Sequence, residues 1–173
     1  ADKIQNAIAG TKAEIANYNC PGQIVISGQE EAVHLAGETC KASGAKRVVP
    51  LKVSGPFHSK MLRGAGEKLK EELKKVEISD SFVPYIANVT ADYVTKKEEV
   101  KLLLASQVSS SVRWQQTIER LLADGADEFV EIGPGRTLSG FVKKVNRDVK
   151  VSSIDKMEDF IQFIGSHVEA GAC

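Results

Sequence analysis

The chain has 173 residues, 42% hydrophobic and 27% charged, with 23 Lys plus Arg against 23 Asp plus Glu. That length fits one domain or a domain and a half with a buried core, and the balanced charge gives no global field toward nucleic acid or an anionic membrane. No run reaches the length of a membrane span, the first eight residues lack the layout of a leader, and three cysteines (Cys20, Cys40, Cys173) without metal-like spacing fit free thiols in a reducing cytoplasm.

Ile4, Ala7 and Ile8 recur at helical spacing, so residues 2–10 read as a short helix. Glu14 to Tyr18 is an extended candidate, Pro21-Gly22 a turn, and Gln23 to Ser27 a strand. Ser27 with Glu30 three residues on predicts a capping box for a helix to about Ser43. Val33, Ala36 and Cys40 form its inner face and Gly44 ends it. Valine-rich Arg47 to Val53 reads as a strand. Ser59 to Val76 predicts an amphipathic helix with Leu62, Ala65, Leu69, Leu73 and Val76 in one stripe. Its mixed charges make a solvated opposite face.

Pro84 to Val89 is a short strand, and Thr95 with Glu98 a second capping box. The helix it opens carries Val100, Leu103, Leu104 and Gln107 on one side. Ser109-Ser110-Ser111 can cap another, carrying Trp114, Ile118, Leu121 and Leu122 and closed by Gly125. Glu128 to Ile132 is a buried-type strand, followed by a Gly133-Pro134-Gly135 turn and a helix to about Val145. Val149 to Ile154 is one more strand. Asp155 caps the last helix, with Phe160, Ile161, Ile164 and Val168 facing in and Gly171-Ala172-Cys173 fraying.

The opening order of helix, strand, strand, helix, strand is a ferredoxin-like unit without its first strand. A sheet short of a strand leaves a raw edge, so the chain reads as beginning inside a domain. After residue 76, strands alternating with helices argue for an α/β layer with a mostly parallel sheet.

His58, in Gly55-Pro56-Phe57-His58-Ser59, sits where a strand-like run gives way to a helix, a place where α/β folds build active sites. Its imidazole suits proton transfer near neutral pH, although a lone histidine is more often a core or capping residue. Asn17 and Asn19, at alternate positions of a strand, can face one pocket or serve as turn residues before Pro21-Gly22. Gly133-Pro134-Gly135 lacks the spacing of a nucleotide phosphate loop and fits a tight strand-to-helix turn. His34 lies on the polar face of its helix with Glu30 and Lys41, and His167 suits the end of its helix dipole.

Four segments carry a resemblance in order and spacing: Asn17-Tyr18-Asn19, Gly55 to Ser59, Gln107 followed by Val112-Arg113-Trp114, and Gly133-Pro134-Gly135. From about Gly10 to Val168 the chain resembles the C-terminal portion of the acyltransferase family of malonyl-CoA:acyl carrier protein transacylases. The resemblance implies an α/β fold: a partial ferredoxin-like small subdomain over 1–54, then over 55–173 the C-terminal part of a large, parallel-sheet, hydrolase-like acyltransferase subdomain. It implies transfer of malonyl from malonyl-CoA through a serine ester to the phosphopantetheine thiol of acyl carrier protein. The histidine matching His58 is the base and acid of that chemistry, and the glutamine matching Gln107 orients it, mainly through a backbone carbonyl. Asn17 and Asn19 match cleft-lining asparagines. Phe57 matches a position where a bulky residue goes with malonyl and a small one with methylmalonyl, though it can equally be core.

This sequence has no Gly-x-Ser-x-Gly elbow, because Leu138-Ser139-Gly140 lacks the leading glycine. The family's malonyl-binding arginine lies outside the match too, and Arg113 and Arg136 do not replace it. The expectation is therefore an S-malonyltransferase whose other partner is its own missing N-terminal half, with this chain inactive by itself. The resemblance implies no metal and no redox cofactor, and Cys20 reads as a small filler. Two alternatives stand beside it: a non-catalytic fragment that binds carrier protein or a partner domain, and an acyltransferase piece of a polyketide synthase. The fragment reading predicts exposed apolar surface where absent strands would dock.

Overall fold

The computed structural model describes residues 2–168. Helix α1 (Asp2–Ile8) leads into strands β1 (Glu14–Cys20) and β2 (Gln23–Ser27), which pair antiparallel with Glu14 opposite Ser27 and Cys20 opposite Gln23. The connection is Pro21-Gly22, with Gly22 at φ +80°, where a side chain is disfavoured and a tight turn requires the left-handed region. Helix α2 (Glu30–Ala42) packs with α1 and the hairpin around Ala7, Ile8, Ala13, Ile15, Ala36 and Cys40. Val33 lies against that cluster, so the inner face expected of α2 is the observed one. Gly44 ends the helix at φ +95°.

The strand expected over Arg47–Val53 is not one. Val48, Val49, Leu51 and Val53 are exposed, and the run pairs with no strand among the described residues. β-favouring side chains lower the cost of extension but cannot supply a ladder partner, and Pro50 has no N–H to give one. The sheet here is the β1–β2 hairpin.

The helix expected over 59–76 is a 3-10 turn (Lys60–Leu62) running into α3 (Arg63–Leu73). Leu62, Leu69 and Leu73 are half-buried, while Ala65 and Val76 are exposed. The most buried residue of α3 is Gly66, where a Cβ would come within 2.8 Å of the Ala105 carbonyl. That close approach seats α3 on α4 (Lys97–Gln107), so a glycine and an alanine, rather than the leucines, set the separation of these helices.

Strand β3 (Tyr85–Ala87) is shorter than expected and pairs antiparallel with β4 (Asp92–Val94), which sequence reasoning missed. Three residues give too little alternation to register as a period. Neither capping box forms. Helices α2 and α4 begin one or two residues later than the boxes require, after Gln29 and Lys96, with no side-chain cap. Ser111 donates its hydroxyl to the Ile15 carbonyl instead of capping α5 (Trp114–Ala123).

Two compact units emerge, Ala1–Thr117 and Ile118–Cys173. In the second, β5 (Glu128–Ile132) and β6 (Lys150–Ile154) pair in parallel, flanked by α6 (Thr137–Val145) and α7 (Met157–Val168). The cap of α7 is reversed from the expectation: Asp159, inside the helix, accepts the N–H groups of Asp155 and Lys156, each at 3.1 Å. These bonds hold the Asp159 carboxyl below its ordinary range.

Phe160, Ile161 and Ile164 were expected to face in, yet all three are exposed, and Ile132 on β5 is 79% exposed. Ile132, Ile154, Met157 and Phe160 line a shallow hollow of about 270 Å³ at the carboxyl ends of the two strands. The side chain of Val168 and the Gly171-Ala172-Cys173 tail lie outside the described residues.

Candidate active site

The first unit brings His58 and Gln107 together. His58 Nδ1 lies 3.1 Å from the backbone carbonyl oxygen of Gln107, across 49 residues of sequence. A carbonyl can only accept, so the proton resides on Nδ1 and the Nε2 lone pair is left free to take one. The contact is made by the last residue of α4, where helix carbonyls lack intrahelical partners. Sequence periodicity placed Gln107 on a helix face, and the family resemblance implied contact through its backbone carbonyl, which is the atom facing His58 here.

The turn that presents His58 is unusual. His58 has φ +57°, a left-handed conformation rare for a residue with a Cβ and one that is retained only when its surroundings hold it. Ser59 is 1% exposed and donates its Oγ–H to the Pro56 carbonyl at 2.7 Å. The N–H of Phe57 bonds the Gly55 carbonyl at 2.9 Å. Lys60 N–H bonds a carboxylate oxygen of Glu14, on β1, at 3.1 Å. Ser59 and Glu14 were both missed. A buried serine directly after a histidine is a usable signal, but nothing in sequence ties Glu14 to residue 60.

Phe57 is 50% exposed, so it is not a core residue. Asn17 and Asn19 lie on β1, each half-buried, and neither side chain hydrogen-bonds a described residue. The Asx-turn alternative needs such a bond. Simple alternation does not carry Asn19, because the register shifts between Tyr18 and Cys20 and leaves Asn19 without a partner opposite. At Asn17, β1 meets a second segment: Tyr18 N–H bonds the Val112 carbonyl (2.9 Å), and Val112 N–H bonds that of Ala16 (2.8 Å). Arg113 N–H then reaches the Asn88 carbonyl. Cys20 is wholly buried, and burial raises the Cys40 thiol above its ordinary range.

In the second unit, the Gly133-Pro134-Gly135 turn opens α6, and its helix N-terminus is already occupied. Glu131 Oε1 and Oε2 accept the N–H groups of Leu138 (3.1 Å) and Ser139 (2.7 Å). Burial works to raise the Glu131 pKa, but the hydrogen bonds from Ser139 and Leu138 outweigh it and hold the carboxyl below its ordinary range. A site filled by its own carboxylate is a poor phosphate cradle.

Nearby, Glu128 accepts from His167 Nε2 (3.0 Å), Lys150 and Ser152, while His167 Nδ1 faces the Phe163 carbonyl at 2.8 Å. The His167 pKa is raised, first by Glu128 and then by Phe163, and that of Glu128 is lowered, first by His167. This is more than the helix-dipole role expected for His167. His34 is exposed beside Glu38. Among the described residues, no group of three or more His, Cys, Asp or Glu could hold a metal ion, and no helix is long and apolar enough to cross a membrane.

Comparison with known proteins matches residues 5–158 to the acyl transferase domain family, and the chain belongs to that family. It is 51% identical over 149 residues to the malonyl CoA-acyl carrier protein transacylase of Bacillus subtilis, covering 86% of this chain and 47% of that protein. A malonyl CoA-acyl carrier protein transacylase structure from Clostridium perfringens superposes with a TM-score of 0.90 at 38% identity, over 98% of this chain and 54% of that one. A malonyl-transacylase solved in complex with a type II polyketide synthase acyl-carrier protein has a TM-score of 0.90 at 34% identity, over 94% and 54%. The chain thus spans about half the length of these relatives and carries part of the acyltransferase fold.

Proposed function

We propose that this acyltransferase-family chain is the carboxyl-terminal portion of a malonyl-CoA:acyl carrier protein transacylase, with His58 as general base and acid. The observation that carries the reading is the His58 Nδ1–Gln107 carbonyl bond, because it fixes the tautomer that a base needs. In the proposed reaction, a serine from the other half attacks the malonyl thioester while His58 Nε2 takes the serine proton. The C–S bond breaks, and the departing thiolate of coenzyme A receives that proton. The phosphopantetheine thiol of acyl carrier protein then repeats the sequence in reverse, and serine regains its proton.

Asn17 and Asn19 supply amides to the cleft, and half-exposed Phe57 bounds the space beside the malonyl α-carbon. Both steps are acyl and proton transfers, which call for no metal or redox cofactor. We place the chemistry in the cytoplasm. For the complete fold we keep the division at residues 54 and 55, assigning 1–54 to the small subdomain and 55–173 to the large one.

The test is an intact-mass measurement after incubation with malonyl-CoA, thiols blocked. Labelling is expected on the serine of an added N-terminal half, such as that of the Bacillus subtilis relative, and not on this chain alone. Malonylation of a serine in this chain without the added half would overturn the assignment.

A further inference from the structure

We propose that Glu14 is a positioning residue for His58, holding the left-handed turn that aims the imidazole at the Gln107 carbonyl. The inference rests on the reading of His58 as the base. The bonds from Phe57 N–H to Gly55 and from Ser59 Oγ to Pro56 are internal to the turn and cannot anchor it to the fold. The Glu14 bond to Lys60 N–H spans 46 residues and fastens the turn to β1.

That N–H belongs to the first residue of a 3-10 helix, a donor with no partner inside the helix. Glu14 therefore caps the element that begins immediately after Ser59. The side-chain pair between Lys60 Nζ and Glu14, at 3.7 Å with the lysine 71% exposed, adds little by comparison.

Strand β1 also holds the other half of the contact. Ser111 Oγ bonds the Ile15 carbonyl, and the Ala16–Val112 and Tyr18–Val112 bonds continue the seam. Residues 111–112 follow α4, whose last residue is Gln107. One strand thus grips the turn bearing His58 at its start and the segment just beyond Gln107 along its length. Releasing Glu14 leaves the acceptor in place and frees the donor.

The test uses the chain completed by the N-terminal half of the Bacillus subtilis relative. Glu14→Ala is expected to lower kcat for malonyl transfer roughly tenfold to a hundredfold, the scale of a misplaced catalytic group. KM for malonyl-CoA should stay within about twofold, since an interaction made only in the transition state is removed. Glu14→Gln retains an acceptor oxygen and should restore kcat to within about threefold.

Nitrogen chemical shifts of His58 should show one Nδ1–H tautomer in the parent and a mixture in Glu14→Ala. Should Glu14→Ala not fold, Glu14→Asp, too short by one methylene to reach Lys60 N–H, takes its place with the same expectations. An alanine variant with parental kcat and parental imidazole shifts would overturn the role of Glu14. Full activity in His58→Ala would overturn the reading of His58 itself, so the two failures are separable.

Discussion

Gln107 offers the sharpest test of how the site is built, because its carbonyl and its side chain make opposite predictions. His58 contacts the backbone oxygen at 3.1 Å, which substitution to alanine leaves in place. Alanine also favours the helix by a few tenths of a kcal/mol, so α4 should still end where it does. Gln107→Ala is therefore expected to keep kcat within about threefold, under 1 kcal/mol of transition-state stabilisation. His58→Ala removes the proposed base and should cost about 10²–10⁴-fold, or ~3–5 kcal/mol. Val108→Pro supplies the contrast. A proline disfavours the α conformation of the residue before it, so it turns the Gln107 carbonyl away while keeping its amide, and activity should fall toward that of His58→Ala. The assay is malonyl transfer to acyl carrier protein by the completed enzyme, with circular dichroism to confirm folding. A folded Gln107→Ala variant as inactive as His58→Ala would refute the argument and assign the orienting role to the amide.

Glu131→Ala should destabilise the second unit by ~1–2 kcal/mol, the value of two charge-assisted bonds to partly exposed N–H groups, with Glu131→Gln losing about half. Urea titration measures both, and an alanine variant as stable as the parent would show the cap to be inert. Because the Glu131 pKa is lowered on folding, its contribution is present above the unfolded carboxylate pKa and fades as pH falls through the folded one. For His167 the sign is opposite. Its pKa is raised, so the tie between α7 and Glu128 is complete below the ordinary imidazole range and is lost as pH rises through the folded value. Protection factors in α7, corrected for intrinsic exchange, should fall across that window, and His167→Gln should remove that fall; a variant with the parental pH dependence of protection would disprove it. Finally, Phe57→Ser should raise the ratio of kcat/KM for methylmalonyl-CoA over malonyl-CoA by roughly tenfold or more, the scale of one relieved methyl contact. An unchanged ratio would remove Phe57 from the specificity surface.

Much of the helical framework was legible because amphipathic runs of ten or more residues declare their period. The inner face of α2 and its glycine stop read directly from Val33, Ala36, Cys40 and Gly44. The hairpin β1–β2 and the parallel pair β5–β6 were legible too, while several features that depend on a particular neighbour were not. Arg47–Val53 has the composition of a strand and no neighbour to pair with. Ser27 and Thr95 have the spacing of capping boxes, but the N-cap positions fall on Gln29 and Lys96. Phe160 and Ile161 look like core and face outward. At the site, His58 and Gln107 were found through a resemblance of motifs, and the geometry joins them through a backbone atom whose position sequence periodicity does not specify. Glu14 and Ser59 act through hydrogen bonds to main-chain groups, and such bonds leave no periodic trace.

The unpaired run from Arg47 to Val53 has a consequence for how this polypeptide behaves in a crowded solution. Three exposed valines and a leucine within seven residues invite intermolecular zippering, the first step toward fibrils. The same seven residues contain their own gatekeepers: Arg47 and Lys52 place positive charge near either end, and Pro50 interrupts any continuous ladder. The stretch can therefore stay open at its edge while resisting self-templating: Val48 lies against Gly37 of α2, and the charged and proline positions guard the remainder.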